Sequence, residues 1–138
     1  MDAFKRPLAI VALVAGAALA NAEPPLIVGT WIGTSTCVDR QRAPACTDER
    51  IRFVFQGAAT GAVHLDAQKW VGTAYDTMFE IDVARDPVSG NWVHDFETPR
   101  GLKARWKFKV VTDGGLEGGL FERPSGARLR EVKATRER

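Results

Sequence analysis

Residues 102–110 alternate strictly between apolar and basic side chains. The apolar positions are Leu102, Ala104, Trp106, Phe108 and Val110, and the positions between them are all Lys or Arg. A period of two over this length is typical of an antiparallel strand with one buried and one solvated face. The same period recurs over residues 28–37, 50–55, 63–67, 77–83, 91–97, 116–122 and 127–134. The sequence therefore predicts an all-β chain of about eight strands.

Short stretches rich in Gly, Pro, Asp and Asn separate these runs, among them residues 86–91, 99–101, 112–115 and 124–126. Such residues favour tight turns, and short links join strands that are antiparallel neighbours. Closing the sheet would remove both of its exposed edges. We therefore predict an eight-stranded antiparallel up-and-down β-barrel, with a sandwich of two sheets as the alternative.

The first residues have the three parts of an export signal. Two basic residues precede an apolar run of about 13 residues, and Ala20-Asn21-Ala22 supplies a small-x-small cleavage pattern. A membrane-spanning helix needs about 20 apolar residues, so this run predicts cleavage and not a span. We expect a helical signal peptide over residues 1–22, one domain over residues 23–138, and a periplasmic or secreted protein.

The charge balance argues against nucleic acid as a partner. Loss of Asp2, Lys5 and Arg6 with the signal peptide would reduce the 19 basic and 17 acidic residues to 17 and 16. A protein that binds nucleic acid usually concentrates basic residues on one face, whereas the basic residues of 102–110 alternate along a solvated strand face. We expect a monomer that binds either a small apolar ligand or a protein of the envelope or exterior.

Cys37 and Cys46 are the two cysteines of the chain. In an exported protein they predict one disulfide. The bridge would close a loop of about ten residues and contribute roughly 2.5–3 kcal/mol in the chain-entropy model. Their spacing is not that of a redox pair, and His64 and His94 do not have the paired spacing of zinc ligands. We therefore expect no metal and no cofactor.

No residue set amounts to an active site. His94 has Asp95 and Glu97 close by in sequence, but on a strand both acids point to the face opposite the histidine. The serines lack the Gly-x-Ser-x-Gly elbow of a nucleophile. The sequence therefore predicts a protein that is not an enzyme, with no catalytic residues.

Gly29-Thr30-Trp31 begins the first predicted strand. This Gly-x-Trp resembles that of lipocalin-like (calycin) barrels, a shape shared by avidin-like proteins. The resemblance implies that Trp31 closes one end of the barrel, with Gly29 packed beneath it. It also implies that an Arg of the last strand, Arg128 or Arg130, lies across the indole, and we take Arg130 as this structural residue.

The chain is also similar to a group of small exported bacterial proteins of unknown role. The shared features are the Trp of the first strand, the segment Pro44-Ala45-Cys46-Thr47-Asp48-Glu49 after a first cysteine, and Gly118-Gly119-Leu120 near the end. True lipocalins are longer and lack the short cysteine loop.

The aromatic residues allow two interpretations, a ligand pocket or a filled core. Our first hypothesis is a small apolar ligand held in or at the mouth of the barrel by Trp31, Phe79, Trp106 and Phe108. The alternative is a protein-binding module, such as a periplasmic inhibitor of a hydrolase, that uses the loop of residues 38–45. Trp70, near a predicted turn, would indicate a contact surface if it is exposed.

Overall fold

The computed structural model describes residues 25–58 and 60–138. They form eight strands: β1 (Gly29–Cys37), β2 (Glu49–Gly57), β3 (Val63–Trp70), β4 (Tyr75–Arg85), β5 (Trp92–Glu97), β6 (Lys103–Val111), β7 (Gly115–Glu122) and β8 (Arg128–Arg136). Each strand pairs antiparallel with the next, and β8 pairs with β1, which closes the barrel. The predicted up-and-down barrel is confirmed, and the sandwich is wrong. The predicted signal peptide, residues 1–22, lies outside the described residues.

Every strand overlaps the stretch in which the sequence predicts one. β3 continues to Trp70, so a turn of residues 71–74 links it to β4, and the Val71 N–H donates to the Ala74 carbonyl at 2.8 Å. A 3₁₀ turn, Thr112–Gly114, occupies one of the predicted turns. Within the described ranges, no helix has the length and apolar character to cross a membrane.

Strand β6 shows how the alternating pattern becomes a barrel wall. Ala104 and Phe108 are fully buried and Trp106 is 7% exposed, whereas Lys103 and Lys109 are exposed. The apolar face of the strand therefore points into the barrel and the basic face points to solvent.

The centre of the barrel is filled by aromatic side chains. Phe53 and Phe55 on β2 reach across to Phe108 on β6, with ring centroids 5.9 and 5.5 Å apart in edge-to-face contacts. Gly118 on β7 lies opposite Phe108, and a Cβ there would be 2.8 Å from Phe108 Cδ1. Full burial of each Phe contributes about 1.5–3 kcal/mol. These residues therefore form a filled core and not a deep cavity.

The end of the barrel where β1 begins, which we call the closed end, is sealed by the segment before β1. Ile27 and Trp31 are both fully buried, and the Trp31 indole N–H donates to the Ile27 carbonyl at 2.9 Å. Trp31 therefore closes one end of the barrel, as the Gly-x-Trp pattern implies.

The guanidinium over the Trp31 ring belongs to Arg136, 4.3 Å from the ring centroid, and not to Arg128 or Arg130. The expected residue was wrong because β1 and β8 are antiparallel. Their register sets Arg136 opposite Trp31 and Arg130 opposite Cys37, at the other end of the barrel. Arg136 also donates to the carbonyls of the segment before β1, those of Leu26 and Val28.

Candidate functional site

The opposite end of the barrel, which we call the mouth, carries a column of stacked aromatic residues. Trp106 stacks on Phe108 with 5.8 Å between centroids, and Phe79 stacks on Trp106 at 5.3 Å. Exposure rises along this column, from 0% at Phe108 to 7% at Trp106 and to a half-buried Phe79. The column therefore leads from the packed centre to the mouth.

Three of the four predicted ligand-binding residues are thus brought together, and the fourth is not. Phe79, Trp106 and Phe108 form the column, whereas Trp31 is sealed at the closed end with no exposed surface. Trp31 has a structural position and cannot share a ligand with Phe79 at the mouth.

Apolar side chains surround the end of the column. Met78, Ile81, Phe96 and Leu120 are half-buried and pack against the core. The alternating pattern puts Met78 on the outer face, but a β-bulge between β3 and β4 shifts the register there, so that both Met78 and Phe79 pack against the core. A bulge of this kind leaves no clear mark in the sequence.

Charged groups lie on the inward-facing side of the mouth next to this apolar surface. The Glu49 carboxylate lies 3.6 Å from Arg130 Nη2 and 3.8 Å from Lys69 Nζ. Arg130 also donates to Ser35 Oγ at 2.8 Å, to the Thr47 carbonyl at 2.7 Å and to Cys46 Sγ at 2.8 Å. The residue predicted as structural therefore joins β8, β1 and the cysteine loop at the mouth.

The loop after β1 is braced at several points. Cys37 and Cys46 form the predicted disulfide. Arg40 donates to the Cys46 carbonyl at 2.9 Å and pairs with Asp48 at 3.2 Å. The sequence predicted the bridge, but it did not predict these hydrogen bonds.

A second brace ties the same loop to β7. Arg42 Nη1 donates to Glu122 Oε1 at 2.6 Å, although the two residues lie far apart in the sequence. This bond is the main reason that the pKa of Arg42 is raised and the pKa of Glu122 is lowered from their ordinary values. The loop is therefore held against the barrel at both its base and its tip.

The barrel wall is weakest between β4 and β5. The ladder there has two residue pairs, Ala84 with Val93 and Arg85 with Trp92, whereas neighbouring β5 and β6 share six. Beyond those pairs, His94 Nδ1 lies 2.8 Å from the Asp82 carbonyl oxygen and bridges the gap. We call this part of the wall the seam. Sequence reasoning missed it, because ladder length depends on how the strands tilt when the barrel closes.

Titratable groups on the outer face hydrogen-bond to one another. His64 lies between Asp82 (2.8 Å) and Glu80 (3.0 Å), and these contacts raise its pKa. Arg105 donates to Asp95 at 2.6 Å and holds the pKa of that carboxyl below its ordinary value. Among the described residues, no three His, Cys, Asp or Glu side chains are grouped to hold a metal ion.

A cleft and an exposed tryptophan lie outside the mouth. A cleft of about 520 Å³ at the closed end is lined partly by Leu26, Arg85, Trp92 and Lys109. On the outer wall, Trp70 is 36% exposed and packs on Tyr75, with the Arg50 guanidinium 5.2 Å from its ring centroid. Trp70 is therefore exposed, with the Tyr75 ring in edge-to-face contact and the Arg50 guanidinium over its ring.

No protein-family model matches the chain, and no curated protein or solved structure shows significant similarity to it. The fold and the mouth therefore define the class by geometry alone: a small closed antiparallel β-barrel with one disulfide, a packed centre and a half-open aromatic end.

Proposed function

We propose that this is an exported, non-catalytic binding protein that takes a small apolar ligand at the mouth of a lipocalin-like barrel. The observation that carries the proposal is the stacked column, which ends in the half-buried ring of Phe79 among other half-buried apolar side chains. A signal peptide at residues 1–22 would deliver the chain to the periplasm or the exterior, where a disulfide is stable.

The packing of the barrel favours a flat, ring-shaped ligand over a long one. Phe53, Phe55 and Phe108 occupy the centre, so a ligand cannot enter deeply. A ring laid on Phe79 would extend the existing stack, and each aromatic pair contributes about 0.5–1.5 kcal/mol beyond the area it buries. We therefore expect the ligand to consist of one aromatic ring or two fused rings.

A calorimetric titration that measures the binding of 2-naphthol to the protein tests this proposal. Phe79→Ala should weaken binding at least tenfold, because it removes the ring on which the ligand stacks. Trp70→Ala is the matched control, since it removes an exposed ring from the outer wall, and it should leave binding unchanged. Equal effects of both substitutions, or no binding by the unaltered protein, would contradict the proposal.

The braced loop supports a second candidate function, inhibition of a hydrolase outside the cytoplasm. The observation that favours it is the pair of braces, Arg40 to Asp48 and Arg42 to Glu122, which hold an exposed loop in one shape. A rigid loop loses little entropy when it enters a cleft of a partner. Assays against purified lysozymes and metalloproteases test this candidate. Inhibition that Ala45→Arg abolishes would support it, and no inhibition in any assay would refute it.

A further inference from the structure

The seam between β4 and β5 is held by a side chain where the backbone ladder stops. The ladder pairs Ala84 with Val93 and Arg85 with Trp92 and then ends. The next link is the hydrogen bond between the His94 ring and the Asp82 carbonyl, at 2.8 Å. His94 therefore has a fixed position in the wall of the barrel.

This bond determines which nitrogen of the neutral His94 ring carries the proton. A carbonyl oxygen can only accept, so Nδ1 must be the protonated donor. Nε2 is then an acceptor with a free lone pair. Within residues 25–58 and 60–138, Nε2 has no hydrogen-bond partner. The atom is also not fully buried. Nε2 is therefore not fully sealed from solvent.

The His94 ring also lies among the aromatic residues of the mouth. Its backbone pairs with that of Trp106, and its side chain stands on the same inward face as Trp92 and Phe96. The Phe96 ring stacks on the imidazole, with 6.2 Å between centroids. An acceptor is thus held next to the rings that we propose as the ligand surface.

We propose that His94 is the polar recognition residue of the mouth. Its Nε2 accepts a hydrogen bond from an O–H or N–H group on a planar aromatic ligand that stacks on Phe79. This inference rests on the proposed function and narrows the ligand class to aromatic compounds with a donor, such as phenols and indoles. A site built to bond a donor discriminates against an analogue that lacks it, because the acceptor would be covered and left unpaired.

A matched pair of probes tests the inference: 2-naphthol, which carries an O–H donor, and 2-methoxynaphthalene, which does not. In the unaltered protein, calorimetry should show 2-naphthol binding about tenfold more tightly, which corresponds to about 1.4 kcal/mol. His94→Phe keeps a ring but removes the acceptor, so both probes should then bind alike. His64→Phe alters the other histidine, on the outer face of β3, and should keep the preference.

The outcomes separate the inference from the proposed function. If both probes bind the unaltered protein equally, or if the preference survives His94→Phe, the role of His94 is refuted while binding at the mouth stands. If neither probe binds, both fail. Nitrogen NMR of the imidazole in the unaltered protein gives a test that does not depend on the folding of a variant. The neutral ring should carry its proton on Nδ1, and a proton on Nε2 would overturn the inference.

Discussion

Arg130 and Arg136 have different roles although both lie on β8. Arg136 covers Trp31 at the closed end, and Arg130 joins strands at the mouth. The antiparallel register between β1 and β8 decides this assignment, and a sequence without known pairing does not reveal it. The resemblance to lipocalin-like barrels implied that an arginine of the last strand would meet the indole, but only the register shows which one.

Replacement of Arg130 should destabilise the barrel. Its side chain is 15% exposed and bonds Ser35 Oγ and the Thr47 carbonyl, so Arg130→Leu leaves these acceptors without a charged donor. We expect the free energy of unfolding to fall by about 2 kcal/mol, measured by urea denaturation. Arg128→Leu is the control, because Arg128 is exposed, and a loss as large as that of Arg130→Leu would contradict this account.

Gly29→Ala should also destabilise the protein. Gly29 has a φ of +140°, and a Cβ there would collide with Arg136 Nη1. The substitution should cost about 1–3 kcal/mol through backbone strain and displacement of the guanidinium. Gly57→Ala provides the control, since a Cβ at Gly57 meets nothing within 4 Å. The midpoint of urea unfolding should shift for Gly29→Ala alone. Similar midpoints for the two variants would show that Arg136 does not need the glycine.

At the scale of elements, the strands could be predicted and their irregularities could not. The alternation in β6 follows from the need to bury one face, so its position was readable from residues 102–110. The bulge that turns Met78 inward and the short ladder at the seam arise when the sheet bends to close. Both features belong to the candidate site, which is why the site was predicted only in part.

The outer face where β3 pairs with β4 should give the protein a pH-dependent term in its stability. Glu80 and Asp82 raise the pKa of His64 in the folded state above the 6.5 of the free side chain. The stabilisation is therefore fully present below the unfolded pKa and is lost as the pH rises through the folded pKa. The difference in unfolding free energy between the unaltered protein and His64→Gln should therefore shrink as the pH rises from the unfolded pKa of His64 through its folded pKa. High salt should shrink this difference further, because it screens exposed charges. A difference that grows with rising pH would contradict the assignment.

At the scale of the whole molecule, the two ends of the barrel have opposite characters. The closed end is sealed by Ile27 and Trp31, both fully buried. The mouth keeps Phe79 half-buried above Trp106, with the acceptor of His94 alongside. Because the packed centre separates the two ends, we expect a ligand to perturb the mouth and leave the closed end unaffected.

The tryptophan indoles allow this claim to be measured directly, since Trp31 lies at the closed end, Trp70 on the outer wall and Trp106 beneath the mouth. In an NMR titration with 2-naphthol, the indole N–H signal of Trp106 should shift progressively to saturation, and the signals of Trp31 and Trp70 should remain in place. Movement of the Trp31 signal while that of Trp106 stays unchanged would contradict the account.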